Sequence, residues 1–359
     1  MKTIWLGLLL CLAPWLSFAQ KPVTLEEKIG QMLMIGVPGT IADTTSAFYQ
    51  DIKQGKIGGI TLYERHLTPT NAAENLKNLI SNYQKAAPVP LLVSITQEGG
   101  VVNRLKEKYG FPRMPSAQYL GQLNNLDSTK FYADNTAYTL SRLGITINFA
   151  PVLDVYAPTN PVLGSRERTY SIDPDIIIKH AAQVIKAHNY FKVHTVMKHF
   201  PGHGSSTEDS HLGLTDVSRT WKPSELEPYR RLIKQGLVQG VMTAHIVNTT
   251  LDEGKLPATL SKKVMTTLLR KDRKFDGVIF SDDLHMKAIS AEYGLKEALE
   301  RAINAGVDVL LFSGNIAGEA PVSGSTLVAM ILELVQEKKI PESRIEEAYG
   351  RIMKMKNRW

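Results

Sequence analysis

The 359-residue chain contains one cysteine, Cys11, which lies inside an apolar segment close to the N-terminus. A chain with a single cysteine forms no internal disulfide and offers no pair of thiolates to a structural zinc ion. If the N-terminal segment is removed on export, no cysteine nucleophile is left. Disulfide-stabilised scaffolds, cysteine-ligated metal sites and cysteine catalysis are therefore excluded.

The apolar N-terminal segment is also too short to cross a bilayer. Its apolar run covers residues 4–16, whereas a membrane-spanning helix needs about 20 residues. A lysine precedes the run, and a small-x-small cleavage site at residues 17–19 follows it. We therefore predict a signal peptide over residues 1–19, an exported protein that is periplasmic or extracellular, and no stable membrane insertion after cleavage.

Two further features are missing from the rest of the sequence. It contains no cluster of lysine and arginine interleaved with aromatic residues, and no Pro/Ser-rich linker that would separate domains. The formal net charge is +7, or +6 without Lys2. Such a charge suits anionic cell-wall polymers, but a basic surface that serves solubility is the simpler interpretation. We predict no nucleic-acid partner and one domain over residues 20–359. The sequence makes no prediction about the oligomeric state.

Short apolar runs alternate with amphipathic segments along the whole of the predicted domain. Eight runs read as buried strands, and the segments between them, such as 70–84, 173–188, 222–235, 262–269 and 295–305, read as helices. The eight runs cover residues 31–37, 58–63, 91–97, 145–155, 194–200, 240–246, 277–283 and 307–313. The pattern predicts an α/β fold, a single-domain (β/α)8 TIM barrel, with a doubly wound open sheet as the alternative. Residues 342–356 are predicted to form a closing helix on the barrel exterior.

Polar and ionisable residues end most of these runs. In a (β/α)8 barrel the chemistry takes place at the C-terminal ends of the strands, so these residues are expected to share one rim. Each of them could instead satisfy backbone groups in a turn. The residues are Arg65, His66, Gln97, Glu98, Asp154, Lys198, His199, His245, Asp282, Asp283, Ser313 and Asn315.

The stretch KHFPGHGSSTEDSH, residues 198–211, concentrates reactive groups. Lys198 and His199 end an apolar run, and the proline and glycines after them start a loop. Asp209 and His211 lie two residues apart, so the carboxylate can set the tautomer and basicity of the imidazole. Taken alone, the pair could equally stabilise the loop. The spacing of His199 and His203 resembles a helical zinc pair, but the proline and glycines make a helix there improbable.

Two adjacent carboxylates, Asp282 and Asp283, end the seventh run. Successive side chains on a strand point in opposite directions, so only one of them is expected to face the site. The other is expected to cap the next helix or to pair with a cation. A carboxylate at the rim can act as a nucleophile, and a proton donor about 5 Å away would give glycoside cleavage with retention of configuration.

The sequence resembles the single-domain bacterial β-N-acetylhexosaminidases of glycoside hydrolase family 3. The resemblance runs in order through eight segments of the predicted domain. They are LEEKIGQMLMIG (25–36), QEGG with NRL (97–105), NFAPVLDV (148–155), NPVLGSR (160–166), KHFPGHGSSTEDSH (198–211), VMTAHI (241–246), FSDDLHM (280–286) and AINAGVDVLL (302–311).

This resemblance implies a retaining hydrolase that needs neither a cofactor nor a metal. It implies that Asp282 is the nucleophile, that His211 is the acid/base, and that Asp209 is the partner of His211. It also implies four cationic contacts with the terminal sugar. These contacts come from Arg104, Arg166, Lys198 and His199. The expected activity is the exo-acting release of N-acetylglucosamine from peptidoglycan fragments or chitooligosaccharides.

One departure from the family pattern concerns the third run. The family usually reads DQEGGRV there, whereas this chain has Thr96 and Val101 at the Asp and Arg positions. Loss of a charged acceptor costs on the order of 1.5–3 kcal/mol per hydrogen bond to a sugar hydroxyl. The departure therefore leaves a relative with altered specificity or a weakly active sugar-binding protein as alternatives. A metal-dependent barrel hydrolase is a separate third hypothesis. A histidine acid/base also leaves open whether water or phosphate accepts the sugar.

Overall fold

The computed structural model describes residues 23–210, 212–315 and 322–359. The predicted signal peptide and His211 lie outside these ranges, so the predictions that concern them stay predictions. Within the described ranges, no helix combines the length and the apolar character that a bilayer-spanning segment needs.

Eight short parallel strands form the centre of the fold. They are β1 (Leu33–Gly36), β2 (Gly59–Leu62), β3 (Leu92–Ile95), β4 (Ile147–Asn148), β5 (His194–Phe200), β6 (Gly240–Thr243), β7 (Val278–Phe280) and β8 (Leu310–Phe312). Each strand lies within one of the eight predicted runs, so the strand prediction is confirmed. Almost all of their residues are buried, because the helices cover one face of the sheet and the barrel interior the other.

The sheet closes on itself. Met34 of β1 pairs with Gly59 of β2 on one side and with Leu311 of β8 on the other. Between β7 and β8 the ring is completed by a parallel bridge from Phe280 to Val309. The fold is therefore a (β/α)8 barrel, and the alternative of an open doubly wound sheet is wrong.

Helices surround the barrel in the described part of the chain. The α-helices are α1 (Leu25–Gln31), α2 (Ala47–Lys53), α3 (Ala72–Ala86), α4 (Ala117–Leu123), α5 (Leu126–Leu143), α6 (Pro174–Tyr190), α7 (Glu227–Lys234), α8 (Lys287–Ser290), α9 (Leu295–Ala305), α10 (Gly324–Gln336) and α11 (Glu342–Lys356). A π-helix spans Lys263–Asp272, and 3₁₀ turns span Glu64–His66, Glu107–Tyr109, Pro223–Leu226 and Ala258–Leu260.

The predicted helices are present with small differences. Helices α9 and α11 have the predicted bounds. The predicted helix 222–235 divides into a 3₁₀ turn and α7, because Pro228 in the first turn of α7 has no N–H to continue an earlier helix. Helix α11 buries its apolar side on the barrel exterior, as predicted, and Arg344 donates to the Asp308 carboxylate at 2.7 Å.

The loops after β3, β4, β5 and β6 are the long ones on the rim at the C-terminal ends of the strands. A two-stranded parallel sheet, Thr215–Asp216 with Ile246–Val247, ties the loop after β5 to the loop after β6. These loops enclose the space above the strand ends.

Candidate active site

A cavity of about 210 Å³ opens at the C-terminal ends of the strands. Seven of the eight strands contribute a lining residue at or just beyond their ends. These residues are Tyr63, Thr96, Phe149, Lys198, Met242, Asp282 and Ser313. A larger groove of about 680 Å³ lies outside the barrel, beside the π-helix and α9, where exposed lysines pair with glutamates. The rim cavity is the candidate site because the strand ends and the ionisable groups converge there.

A buried carboxylate, Glu98, stands behind this cavity and is held by two cations. Arg168 donates to both of its oxygens at 2.8 Å, and the Lys198 ammonium lies 2.6 Å from one of them. Burial by itself raises the pKa of Glu98, but the charges of Arg168 and Lys198 outweigh burial and hold the pKa well below its usual range. Two cations around one anion leave a net positive charge that faces the cavity.

The Lys198 ammonium is itself perturbed. Burial lowers its pKa, and the neighbouring Arg168 adds to that effect, while Glu98 and then Asp282 oppose it. The Asp282 carboxylate lines the same cavity as Lys198, and its negative charge favours the charged form of the ammonium.

A second buried carboxylate, Asp154, orients His199. Its oxygens lie 2.7 Å from the Nδ1 of His199 and 2.7 Å from the backbone N–H of His203. Burial raises the pKa of Asp154, but His199 opposes burial and the pKa lies below its usual value. Because Nδ1 faces Asp154, the Nε2 atom is the ring nitrogen that remains for a ligand in the cavity.

The two carboxylates after β7 have different surroundings. Asp282 is half-buried and lines the cavity, and one of its oxygens accepts the N–H of Asp283 at 2.8 Å. The Asp283 carboxylate accepts the N–H of His285 at 3.0 Å and the hydroxyl of Ser313. Burial, together with the nearby Asp282, raises the pKa of Asp283. Both carboxylates line the cavity, contrary to the expectation that only one of them would face it, and Asp283 is the one that also braces the turn before α8.

Arg104 is brought to the cavity by the side chain of Gln97. The Oε1 atom of Gln97 accepts the backbone N–H groups of Arg104 and Leu105 at 2.9 and 3.1 Å, which fixes the loop after β3. The guanidinium carbon of Arg104 lies 5.8 Å from the centre of the Tyr63 ring. Its Nε is buried and has no hydrogen-bond partner in the described part of the chain, so Arg104 retains a donor for a ligand.

The first part of the loop 198–211 is firmly anchored. The side-chain amide of Asn160 donates to the carbonyl of Gly204 at 3.1 Å, and Glu225 accepts the N–H of Gly204 at 3.1 Å. Gly202 has a φ of 118°, and a Cβ there would lie 2.6 Å from Glu225, so only glycine fits. The later residue Asp209 is half-buried. Its backbone carbonyl accepts the N–H of Leu212 at 2.9 Å.

The structure separates the two arginines of the loop after β4. Arg166, the predicted sugar contact, is exposed at the mouth of the cavity, whereas Arg168 is buried in its wall on Glu98. Sequence reasoning missed Arg168, because the sequence of this irregular loop carries no signal that tells which of its two arginines is buried. Both arginines line the cavity.

Some predicted rim residues serve the backbone instead. The His66 ring accepts the N–H of Tyr63 at 2.8 Å and lies 2.9 Å from the carbonyl of Val37. Burial lowers the pKa of His66 to about 4, and its imidazole is therefore neutral near pH 7. His245 likewise uses both ring nitrogens inside the protein. These residues stabilise turns, an alternative that the sequence left open.

The two departures from the family pattern have different surroundings. Thr96 lies in the cavity wall. Val101 has 60% of its surface exposed and is not among the described residues that line the cavity. The first substitution therefore alters the cavity itself, and the second does not.

Comparison with known proteins gives a family match over nearly the whole chain. The model of the glycosyl hydrolase family 3 N-terminal domain matches residues 24–355. A β-hexosaminidase of Tolumonas auensis is 34% identical over 295 residues, which cover 81% of this chain and 85% of the relative. The β-hexosaminidase LpqI of Mycobacterium tuberculosis is 33% identical over 341 residues, which cover 92% of this chain and 82% of LpqI.

Among solved structures, a glycoside hydrolase family 3 β-N-acetylglucosaminidase from Paenibacillus sp. str. FPU-7 superposes with a TM-score of 0.85 at 34% identity. The match covers 94% of this chain and 63% of that protein. The chain thus spans less than two thirds of the length of this structural relative.

Proposed function

The chain belongs to glycosyl hydrolase family 3 and is a glycosidase, and from this premise we propose that it is an exo-acting, retaining β-N-acetylglucosaminidase. Its substrates are β-linked N-acetylglucosaminides such as peptidoglycan fragments or chitooligosaccharides. The relatives named above are β-hexosaminidases and a β-N-acetylglucosaminidase, which supports this substrate class.

The proposed reaction has two steps. The Asp282 carboxylate attacks the anomeric carbon while the bond to the leaving oxygen breaks, and His211 gives its proton to that oxygen. His211 then takes a proton from water, the water oxygen attacks the anomeric carbon, and Asp282 leaves as a carboxylate. Asp209 holds His211 in the tautomer that this exchange requires.

The observation that carries the proposal is the surroundings of Asp282. Its carboxylate lies at the end of β7 in the rim cavity, with the net positive charge of the Lys198, Arg168 and Glu98 group nearby. Such a field stabilises an ionised carboxylate, which is the form a nucleophile needs. The backbone N–H of Asp283 fixes one carboxylate oxygen at 2.8 Å, so the group is also oriented.

The size and the polarity of the cavity suit one terminal sugar. Its volume of about 210 Å³ is below the roughly 300–1,000 Å³ of sites for drug-sized ligands. Arg104, Arg166, Lys198 and His199 line it, and their N–H groups can donate to sugar hydroxyls from fixed positions. A site of this size suits an exo-acting enzyme, because only the terminal residue enters.

The test compares Asp282→Asn with Asp127→Asn, a matched change at an exposed position of α5. Hydrolysis of a nitrophenyl β-N-acetylglucosaminide and of chitobiose is measured with and without a chelator. We expect Asp282→Asn to lose activity by several orders of magnitude, Asp127→Asn to match the wild type, and the chelator to change nothing. An Asp282→Asn protein at wild-type rate would falsify the mechanism, and activity lost on chelation would favour a metal-dependent hydrolase.

A second candidate function follows from Thr96 in the cavity wall. Threonine is shorter than aspartate and carries no charge, so the hydroxyls that reach this wall are bound less strongly. The protein would then prefer another β-glycoside or act mainly by binding sugar. A panel of aryl glycosides, assayed with water alone and with added phosphate, decides among these functions and identifies the acceptor.

Export of the protein is part of the proposal. The apolar run and the cleavage pattern over residues 1–19 support a periplasmic or extracellular location, where cell-wall glycans are available. Mass analysis of the protein from its native host is expected to give a mature N-terminus at Gln20. An intact Met1 would contradict the signal-peptide prediction.

A further inference from the structure

Three buried side chains form a series of hydrogen bonds that joins the backbone of Asp282 to that of Asp283. The N–H of Asp282 donates to the hydroxyl of Thr243 at 3.3 Å, and that hydroxyl lies 2.7 Å from the hydroxyl of Thr259. The Thr259 hydroxyl lies 2.7 Å from Nδ1 of His245, and Nε2 of His245 lies 2.9 Å from the carbonyl of Asp283. Thr243, Thr259 and His245 each have at most 1% of their surface exposed.

The donors and acceptors of these contacts run in one direction. The Asp283 carbonyl only accepts, so Nε2 of His245 carries a proton, and we assign Nδ1 as the acceptor of the Thr259 hydroxyl. Thr259 then accepts from Thr243, and Thr243 accepts from the N–H of Asp282. The Thr259 hydroxyl has a second acceptor within reach, the carbonyl of Ala244, but that contact is longer, at 3.1 Å. The chain of hydrogen bonds starts and ends on the backbone at Asp282 and Asp283.

We propose that Thr243, Thr259 and His245 are positioning residues that fix the reactive orientation of the Asp282 carboxylate. The inference rests on the proposed function, in which Asp282 is the nucleophile. The network binds the backbone N–H of Asp282 and the backbone carbonyl of Asp283. Between these two points lies the N–H of Asp283, which binds the Asp282 carboxylate at 2.8 Å. A rotation of this backbone would therefore carry the carboxylate with it.

The positioning role follows from how strictly the reaction depends on geometry. A nucleophile must approach the anomeric carbon in line, and a displacement of about 1 Å costs on the order of a hundredfold in rate. Thr259 is on the 3₁₀ turn Ala258–Leu260, outside the strand that carries Asp282. The network thus links two separate rim segments, one with Thr243 and His245 and one with Thr259, to one carboxylate, and none of the three side chains lines the cavity.

The experiment removes one hydroxyl while keeping the shape of the side chain. Thr259→Val interrupts the network, Thr259→Ser keeps the hydroxyl, and Thr195→Val is the matched control. Thr195 is fully buried on β5, and its hydroxyl has no hydrogen-bond partner in the described part of the chain. The kcat and KM for an aryl β-N-acetylglucosaminide are measured together with the midpoint of thermal unfolding. Asp282→Asn is included as the test of the nucleophile.

We expect Thr259→Val to lower kcat about tenfold to a hundredfold, with KM within about threefold of the wild type because the sugar contacts are unchanged. Thr259→Ser is expected to restore kcat, and Thr195→Val to leave it unchanged. If Thr259→Val does not fold, Thr243→Val interrupts the same network from its other side.

Two results would overturn the inference while leaving the proposed function intact. One is an inactive Asp282→Asn together with a Thr259→Val enzyme as active as Thr195→Val. The other is a loss of kcat in Thr259→Val that Thr259→Ser does not restore, since the shape of the side chain would then be the cause. An active Asp282→Asn would reject the proposed function and the inference together.

Discussion

Arg168 binds Glu98 through two parallel hydrogen bonds of 2.8 Å, with both side chains buried behind the candidate site. This geometry is the bidentate pairing that a guanidinium forms with a carboxylate and that a lysine ammonium does not reproduce. Lys198 shares the same carboxylate, so the position of a predicted sugar contact depends on an arginine that the sequence pattern does not distinguish.

The first prediction compares Arg168→Ala with Arg166→Ala. Removal of Arg168 leaves Glu98 buried with one cation fewer, and we expect a loss of about 3–5 kcal/mol in the free energy of unfolding. Arg166 is exposed, so its removal is expected to change that free energy by less than about 0.5 kcal/mol and to raise KM. Denaturant titration and steady-state kinetics measure the two quantities. Equal stability of the two variants would contradict the structural role of Arg168.

The second prediction concerns Thr96→Asp. A carboxylate in this wall of the cavity provides a charged acceptor for sugar hydroxyls, worth on the order of 1.5–3 kcal/mol per bond. We expect kcat/KM for an aryl β-N-acetylglucosaminide to rise about tenfold or more. Val101→Arg, outside the described cavity wall, is the control and is expected to have little effect. A fall in kcat/KM for Thr96→Asp would show that threonine is adapted to a different sugar.

The parts of the fold that follow local rules were accessible from the sequence. Buried parallel strands are continuous apolar runs, so the eight strands were found. Alternation along a strand did not separate Asp282 from Asp283, because both lie beyond the end of β7 and both line the cavity. The choice between Arg166 and Arg168 was not accessible, because both lie in one irregular loop and only its folded path decides which one reaches Glu98. The contact of His245 with Asp283, 38 residues away, likewise depends on tertiary structure.

The third prediction tests the proposed acid/base pair with Asp209→Asn. A general acid contributes about a hundredfold or more when the leaving group is poor, and little when it leaves without a proton. We therefore expect Asp209→Asn to slow the cleavage of chitobiose strongly and that of a dinitrophenyl glycoside only slightly. Glu208→Gln makes the same carboxylate-to-amide change at the exposed neighbouring residue and is expected to be silent on both substrates. Equal rates for the two variants on chitobiose would exclude a role for Asp209 in proton transfer.

The fourth prediction concerns stability in acid. Nδ1 of His188 lies 2.8 Å from the Val184 carbonyl, and its Nε2 lies 3.0 Å from the Asn148 amide nitrogen, so Nε2 accepts and the ring is neutral. Burial lowers its pKa to about 4, from 6.5. Between those two values only the unfolded chain binds the proton, so the contribution of His188 to stability is full above pH 6.5 and declines as the pH falls towards 4. As the pH falls from 6.5 to 4, we expect the free energy of unfolding of His188→Gln to fall less steeply than that of the wild type. The two slopes are expected to differ by up to about 1.4 kcal/mol per pH unit. The free energy of unfolding of both proteins is measured by denaturant titration at several pH values. Parallel curves of this free energy against pH would contradict the prediction.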